Sequence, residues 1–154
     1  MIEARLQELN ISLPLQPAPA ANYAPFVKMG SLIFISGQLP SLNGELKYMG
    51  KVGREFTLEE GQKAARLCAL NILAQLKEAC HGDLNQVVGC IRLGGFVNST
   101  EDFAEQSKVI NGASDLIVSI FGEKGRHARA AVGVNSLPFG VAVEVEALFE
   151  VKSA

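Results

Sequence analysis

The chain has no tryptophan, only two histidines, and aromatic side chains at 6% of its 154 positions. A stacking platform for single-stranded nucleic acid therefore has little to build on. Positive charge is not in excess either: 14 Lys and Arg stand against 16 Asp and Glu, a formal net charge of −2, with no basic run. This argues against binding that neutralises phosphates or an anionic membrane surface with clustered Lys and Arg. The three cysteines, Cys68, Cys80 and Cys90, form no C-x-x-C pair and have no histidines at zinc-finger spacing, a pattern that fits a reduced, cytoplasmic protein. Glu3, Arg5 and Glu8 interrupt the apolar residues of the N-terminus, so no secretory signal core stands there, and no apolar run approaches the ~20 residues of a membrane helix. The G-x-x-x-x-G-K-[ST], G-x-S-x-G, H-E-x-x-H and strand-following G-x-G-x-x-G patterns are also missing, which removes P-loop, nucleophile-elbow, zincin and dinucleotide-fold readings.

What is present is a globular composition, 48% hydrophobic and 19% charged, at a length that normally makes one domain. Residues 1–24 are expected to form an N-terminal helix, marked by Ile2, Leu6 and Leu9, and a Pro-rich extension; residues 25–154 are expected to form a single domain. Apolar runs at 26–29 and 32–36 flank Gly30-Ser31, a hairpin signal in which the glycine needs positive φ. Residues 38–56, punctuated by Pro40, Asn43-Gly44, Gly50 and Gly53, read as a loop that walls a pocket. Thr57 and Glu60 make a capping box ahead of Ala65, Cys68, Ala69, Ile72, Leu76 and Ala79, and His81-Gly82 supplies the stop. A strand at 87–97, a helix at about 103–120 weakened by Asn111-Gly112, and strands at 130–134 and 141–151 complete the order ββαβαββ. The fold class that follows is α+β, a two-layer sandwich with two main helices on one face of a mixed sheet.

Few residues offer chemistry on pattern alone. Cys68 sits on the apolar stripe of the best helix and Cys90 inside an apolar strand, where each reads as a small buried hydrophobe rather than a nucleophile; Cys80, beside His81, is the least determined. His81 at a helix end suits the helix dipole, whereas His127, two residues before Arg129, either borders a site or lies in a surface loop. Glu144 and Glu146 share one face of a strand of Val, Ala, Leu and Phe, either a solvated face or a partly buried cleft. Arg129 is either an ordinary surface residue or a bidentate captor of a carboxylate.

Two separated motifs sharpen these alternatives. LIFISGQLP at 32–40 and HARAAVGVNSLPFGVAVEVEA at 127–147, with DFAEQSK between them, resemble the Rid/YjgF family of reactive intermediate deaminases over residues 25–151, and the stretch leading to His127 resembles a subgroup distinct from the best-known deaminases. The resemblance implies a chorismate-mutase-like fold and a homotrimer with a barrel-like core and a small-molecule pocket at each subunit interface. It implies hydrolysis of enamine or imine intermediates of the 2-aminoacrylate type to a 2-oxo acid and ammonia, without metal or organic cofactor. Arg129 then corresponds to the residue that binds the substrate carboxylate and Glu144 to the one that positions or activates water. Ser36, Gly37 and the backbone at Ala131 correspond to pocket-lining positions. Phe26 stands where many deaminases have a tyrosine, Ala131 replaces a common cysteine, and Ser107 replaces an asparagine for which Asn111 is the substitute on offer. Two further functions compete with deamination: trimeric binding of a 2-oxo or amino acid without turnover, and the endoribonuclease or translation-inhibitor activity with which the family is often labelled.

Overall fold

Gly30, at φ +59°, turns the chain between two apolar runs that pair antiparallel, β1 (Phe26–Met29) and β2 (Leu32–Gln38), in the computed structural model, which describes residues 1–17 and 21–153. The 18–20 part of the Pro-rich extension lies outside the described residues. Beyond β2, Asn43-Gly44 takes positive φ at both residues and folds a small hairpin, β3 (Ser41–Leu42) and β4 (Glu45–Leu46), within the segment expected to be loop. Asn-Gly matches the twist of such tight turns, and two residues on each side leave no alternation to read.

Helix α2 (Leu58–Ala79) begins at the capping box: Thr57 Oγ1 accepts from the Glu60 N–H and Glu60 Oε1 accepts from the Thr57 N–H, an arrangement that contributes about 1 kcal/mol. The left-handed stop is taken by both His81 (φ +53°) and Gly82 (φ +89°). Strand β5 (Val87–Asn98) carries two register shifts, between Val87 and Gly89 and between Cys90 and Arg92, in the glycine-rich stretch expected to bulge.

Helix α3 (Gln106–Phe121) starts three residues later than its apolar spacing predicts. A turn takes Phe103 first: its N–H donates to the Thr100 carbonyl, and its own carbonyl accepts from Gln106 Nε2. Strand β6 (Ala128–Val134) starts two residues earlier than expected, so Arg129 stands within the strand rather than on the approach to it; its small side chains give no alternation, and pairing with β5 decides. Strand β7 (Val143–Val151) takes the centre of the sheet between β2 and β5, and helix α1 (Ile2–Glu8) lies against the helix layer through Leu6 and an Arg5 Nε bond to the Ser119 carbonyl.

The sheet order is β1-β2-β7-β5-β6, with β5 and β6 parallel and the other neighbours antiparallel. One face is buried beneath α2 and α3 by Ile33, Leu93, Val97, Val143, Val145 and Phe149, all fully enclosed. The other face has no helix over it among the described residues and presents Val27, Phe34 and Val132, each about half exposed, around an Arg92–Glu146 ion pair at 3.5 Å.

Candidate active site

Arg129 and Glu144 are held by different elements on different faces of the sheet. Arg129 pairs with Leu93 across the parallel β5–β6 ladder and shares its direction, toward the helices. Ser107, Asn111 and Ser114 line up on the facing side of α3, at spacings of four and three that put them on one stripe. Nη1 of Arg129 donates to Asn111 Oδ1 at 2.8 Å and to Ser114 Oγ at 3.1 Å, and Nη2 donates to the Ser107 carbonyl at 3.2 Å. Three of the five guanidinium N–H groups are thereby occupied. Nε keeps no acceptor among the described residues and Nη2 makes a single bond, and the Nε/Nη2 edge is one that can take a carboxylate bidentately. Ala131, two residues on, points the same way, is half-buried and pairs with Gly95.

Glu144 alternates with the enclosed Val143 and Val145 and so stands on the uncovered face. Its carboxylate lies directly over Gly37, where a Cβ would overlap Oε2, so any side chain at that position would push the carboxylate aside. The interruption of β2–β7 pairing between Ile35 and Gln38 brings Gly37 under the carboxylate. Partial burial, with a smaller contribution from Glu146, pushes the Glu144 carboxyl above its usual range. Ser36 is fixed at this bulge by its hydroxyl, which donates to the Ala24 carbonyl at 2.6 Å, and it lines a cavity of about 320 Å³ on the uncovered face with Phe34, Arg92 and Glu146.

The structure thus brings together Arg129 with Asn111, and Glu144 with Gly37, while Ser36 shares its cavity with Glu146; the Arg129 and Glu144 groups do not meet within one chain. Phe26 packs against the core. A phenol is instead offered by Tyr23, which lines a second cavity of about 290 Å³ with Gly37, Gln38 and Phe139 and was not singled out by its pattern. Ser114 was also missed, since its only sequence signal is its i, i+3 relation to Asn111. His127 turns out half-buried and bonded to Ser114 rather than in a solvated loop. Burial raises the thiols of Cys68 and Cys80 and pushes that of Cys90 up to about 12, which disfavours the thiolate a nucleophile needs. Among the described residues no three His, Cys, Asp or Glu side chains gather as a metal site requires, and no helix is long and apolar enough to cross a membrane.

Residues 3–150 match the family model described as "YjgF/chorismate mutase-like, putative endoribonuclease". The chain belongs to this family. It is 51% identical to Protein TCP17 of Trypanosoma cruzi over 99% of this chain and 95% of that protein. Among solved structures it is similar to Atu1372 of Agrobacterium tumefaciens, described as of unknown function, at 51% identity and a TM-score of 0.92 over 98% of this chain and 92% of that one. RidA of an Antarctic Psychrobacter is more distant in sequence and shape, 30% identical with a TM-score of 0.61 over 88% of this chain and 94% of that one. As a YjgF-like chain, it carries the family's α+β fold with a mixed sheet.

Proposed function

We propose that this YjgF-family chain hydrolyses small enamine or imine acids of the 2-aminoacrylate type to 2-oxo acids and ammonia. The observation that carries the reading is Arg129, whose guanidinium is held by α3 with a bidentate edge left over for a carboxylate. In the imine form the carbon beside that carboxylate is already electrophilic, so the protein needs mainly to anchor, orient and move protons. Water adds to the imine carbon and gives a proton to Glu144, which passes it to the nitrogen to form the carbinolamine; the carbinolamine hydroxyl then gives its own proton through Glu144 to that nitrogen, which leaves as ammonia while the carbonyl forms. A carboxyl raised above its usual range suits both halves of this transfer, because it holds a proton more readily than an exposed glutamate.

Arg129 and Glu144 point to opposite faces of the sheet, which favours a site completed by a neighbouring copy: the β6 edge of one chain set against the uncovered β2–β7 face of the next. A ring of three copies, as the family resemblance implies, would give three such sites and cover the apolar Val27, Phe34 and Val132. Reduced cysteines suit a cytoplasmic setting.

The test couples a 2-aminoacrylate-generating enzyme to the purified protein and follows 2-oxo acid release. Wild type should accelerate release and Arg129→Ala should lower kcat/KM by roughly a hundredfold, the loss of a bidentate charged pair. No acceleration by wild type would overturn the proposal. Retained binding of 2-oxo acids without turnover would make the chain a binding protein, and RNA cleavage indifferent to Arg129→Ala would place its activity elsewhere.

A further inference from the structure

The polar contacts behind Arg129 continue past α3. Ser114 Oγ, which accepts from Arg129 Nη1 at 3.1 Å, lies 2.8 Å from His127 Nε2, and His127 Nδ1 lies 2.6 Å from the Gly125 carbonyl. The two ends of this chain have one role each: a guanidinium only donates and a carbonyl only accepts. The links between them are therefore fixed in direction for a neutral imidazole. His127 Nδ1–H donates to Gly125, Nε2 accepts the Ser114 hydroxyl proton, and the Ser114 oxygen is left with its lone pairs toward Arg129. Gly125 is itself buried against α3, where a Cβ would stand 2.7 Å from the Ile117 carbonyl, so the far end of the chain is anchored to the same helix that holds Arg129.

We propose that Ser114 and His127 are positioning residues that hold the Nη1 end of Arg129 against α3, so that only its Nε/Nη2 edge is offered to a ligand carboxylate. This rests on the reading of Arg129 as a carboxylate anchor and extends it. Without the imidazole, the Ser114 hydroxyl is free to rotate its proton toward Nη1, which turns an acceptor into a competing donor. The guanidinium then loses one of its two Nη1 partners and swings about Asn111, spoiling the edge geometry that bidentate capture needs. The consequence for recognition is a planar carboxylate held side-on rather than end-on. Neither Ser114 nor His127 touches the ligand, so their loss should weaken binding of the carboxylate and spare the proton-transfer step at Glu144.

The experiment compares wild type, Ser114→Ala, His127→Leu, His127→Gln and Arg129→Ala in two readouts, steady-state imine hydrolysis and calorimetric titration with the product-type 2-oxo acid, alongside thermal unfolding. Ser114→Ala and His127→Leu should each raise KM and the 2-oxo acid Kd roughly three- to tenfold, the loss of a hydrogen bond to a charged group, with kcat within about twofold. His127→Gln, whose amide oxygen can take the Ser114 proton, should return both toward wild type. An Arg129→Ala defect with Ser114→Ala and His127→Leu indistinguishable from wild type would overturn the positioning role and leave the anchor standing. Loss of kcat rather than rise of KM, or failure of His127→Gln to restore binding in a protein of unchanged unfolding temperature, would overturn it equally. Wild-type Kd unaltered by Arg129→Ala would remove the anchor, and the positioning role with it.

Discussion

Glu144 is a partly buried carboxyl kept at the expense of the fold. Its carboxyl is raised because burial penalises the ionised form, with Glu146 adding like charge. A group whose folded-state pKa is raised favours folding while protonated; that contribution is fully present below the usual carboxylate range and is lost as pH rises through the raised value. At neutral pH the ionised Glu144 therefore opposes folding. Glu144→Gln should raise the unfolding temperature at pH 7, with the gain shrinking as the pH is brought below the usual carboxylate range, and should abolish hydrolysis at every pH. Thermal unfolding across a pH series checks the first part and coupled turnover the second; a less stable Glu144→Gln at pH 7 would mean that the carboxylate is paired in a way the chain alone does not show. Gly37 belongs to the same argument, since any side chain there displaces the carboxylate it carries.

At the scale of elements, the crossing of α2 and α3 sets where Arg129 can be met. Asn111-Gly112 looks in the sequence like a weak point in α3, because glycine costs a helix interior up to about 1 kcal/mol. In the fold Gly112 is the point of closest approach: a Cβ there would stand 2.1 Å from the Gln62 carbonyl of α2. The missing side chain lets the two backbones touch, and Asn111, next in sequence, is thereby aimed at Arg129. Gly112→Ala should destabilise the chain by about 2 kcal/mol or more despite the better helix propensity of alanine, because the clash is with backbone. Urea unfolding measures this, and a neutral or stabilising result would show that the helices can separate without cost. Weakened 2-oxo acid binding should accompany the loss, since Asn111 and Ser114 move with α3.

For the whole molecule, the decisive fact is that one apolar face of the sheet has no helix over it among the described residues and that the two proposed catalytic groups lie on opposite faces. If a site forms between copies, with Arg129 from one and Glu144 from the next, two inactive variants should complement each other. Arg129→Ala and Glu144→Gln, unfolded together and refolded at equal ratio, should recover about a quarter of wild-type activity for random assembly, since one pairing in four joins two intact groups. Separately refolded controls should stay inactive. No recovery in assemblies shown to be mixed would place both groups in the same copy's site. Phe34→Glu, a charge on the uncovered face, should reduce both the sedimenting mass and turnover together.

Much of the architecture was legible because local chemistry and burial agree. The Thr57/Glu60 capping box, the three-to-four spacing of Ala65 to Ala79, the Gly30 turn and the alternation of Val143, Val145 and Glu144 each report a local rule that the fold obeys. The boundaries at Phe103 and Ala128 were not legible, since the turn that delays α3 is tied down by a Thr100 N–H bond to the Val52 carbonyl and β6 by a parallel ladder to β5, both partners far along the chain. The candidate site was half legible. Arg129 and Glu144 stand out by motif, but Ser114, Tyr23 and the role of His127 carry no pattern of their own. The sequence determined the elements and the side chains available to them. Only the tertiary structure decided which edge of the Arg129 guanidinium is free and that Glu144 lies over Gly37, because both depend on backbone approaches between segments tens of residues apart, which no local periodicity encodes.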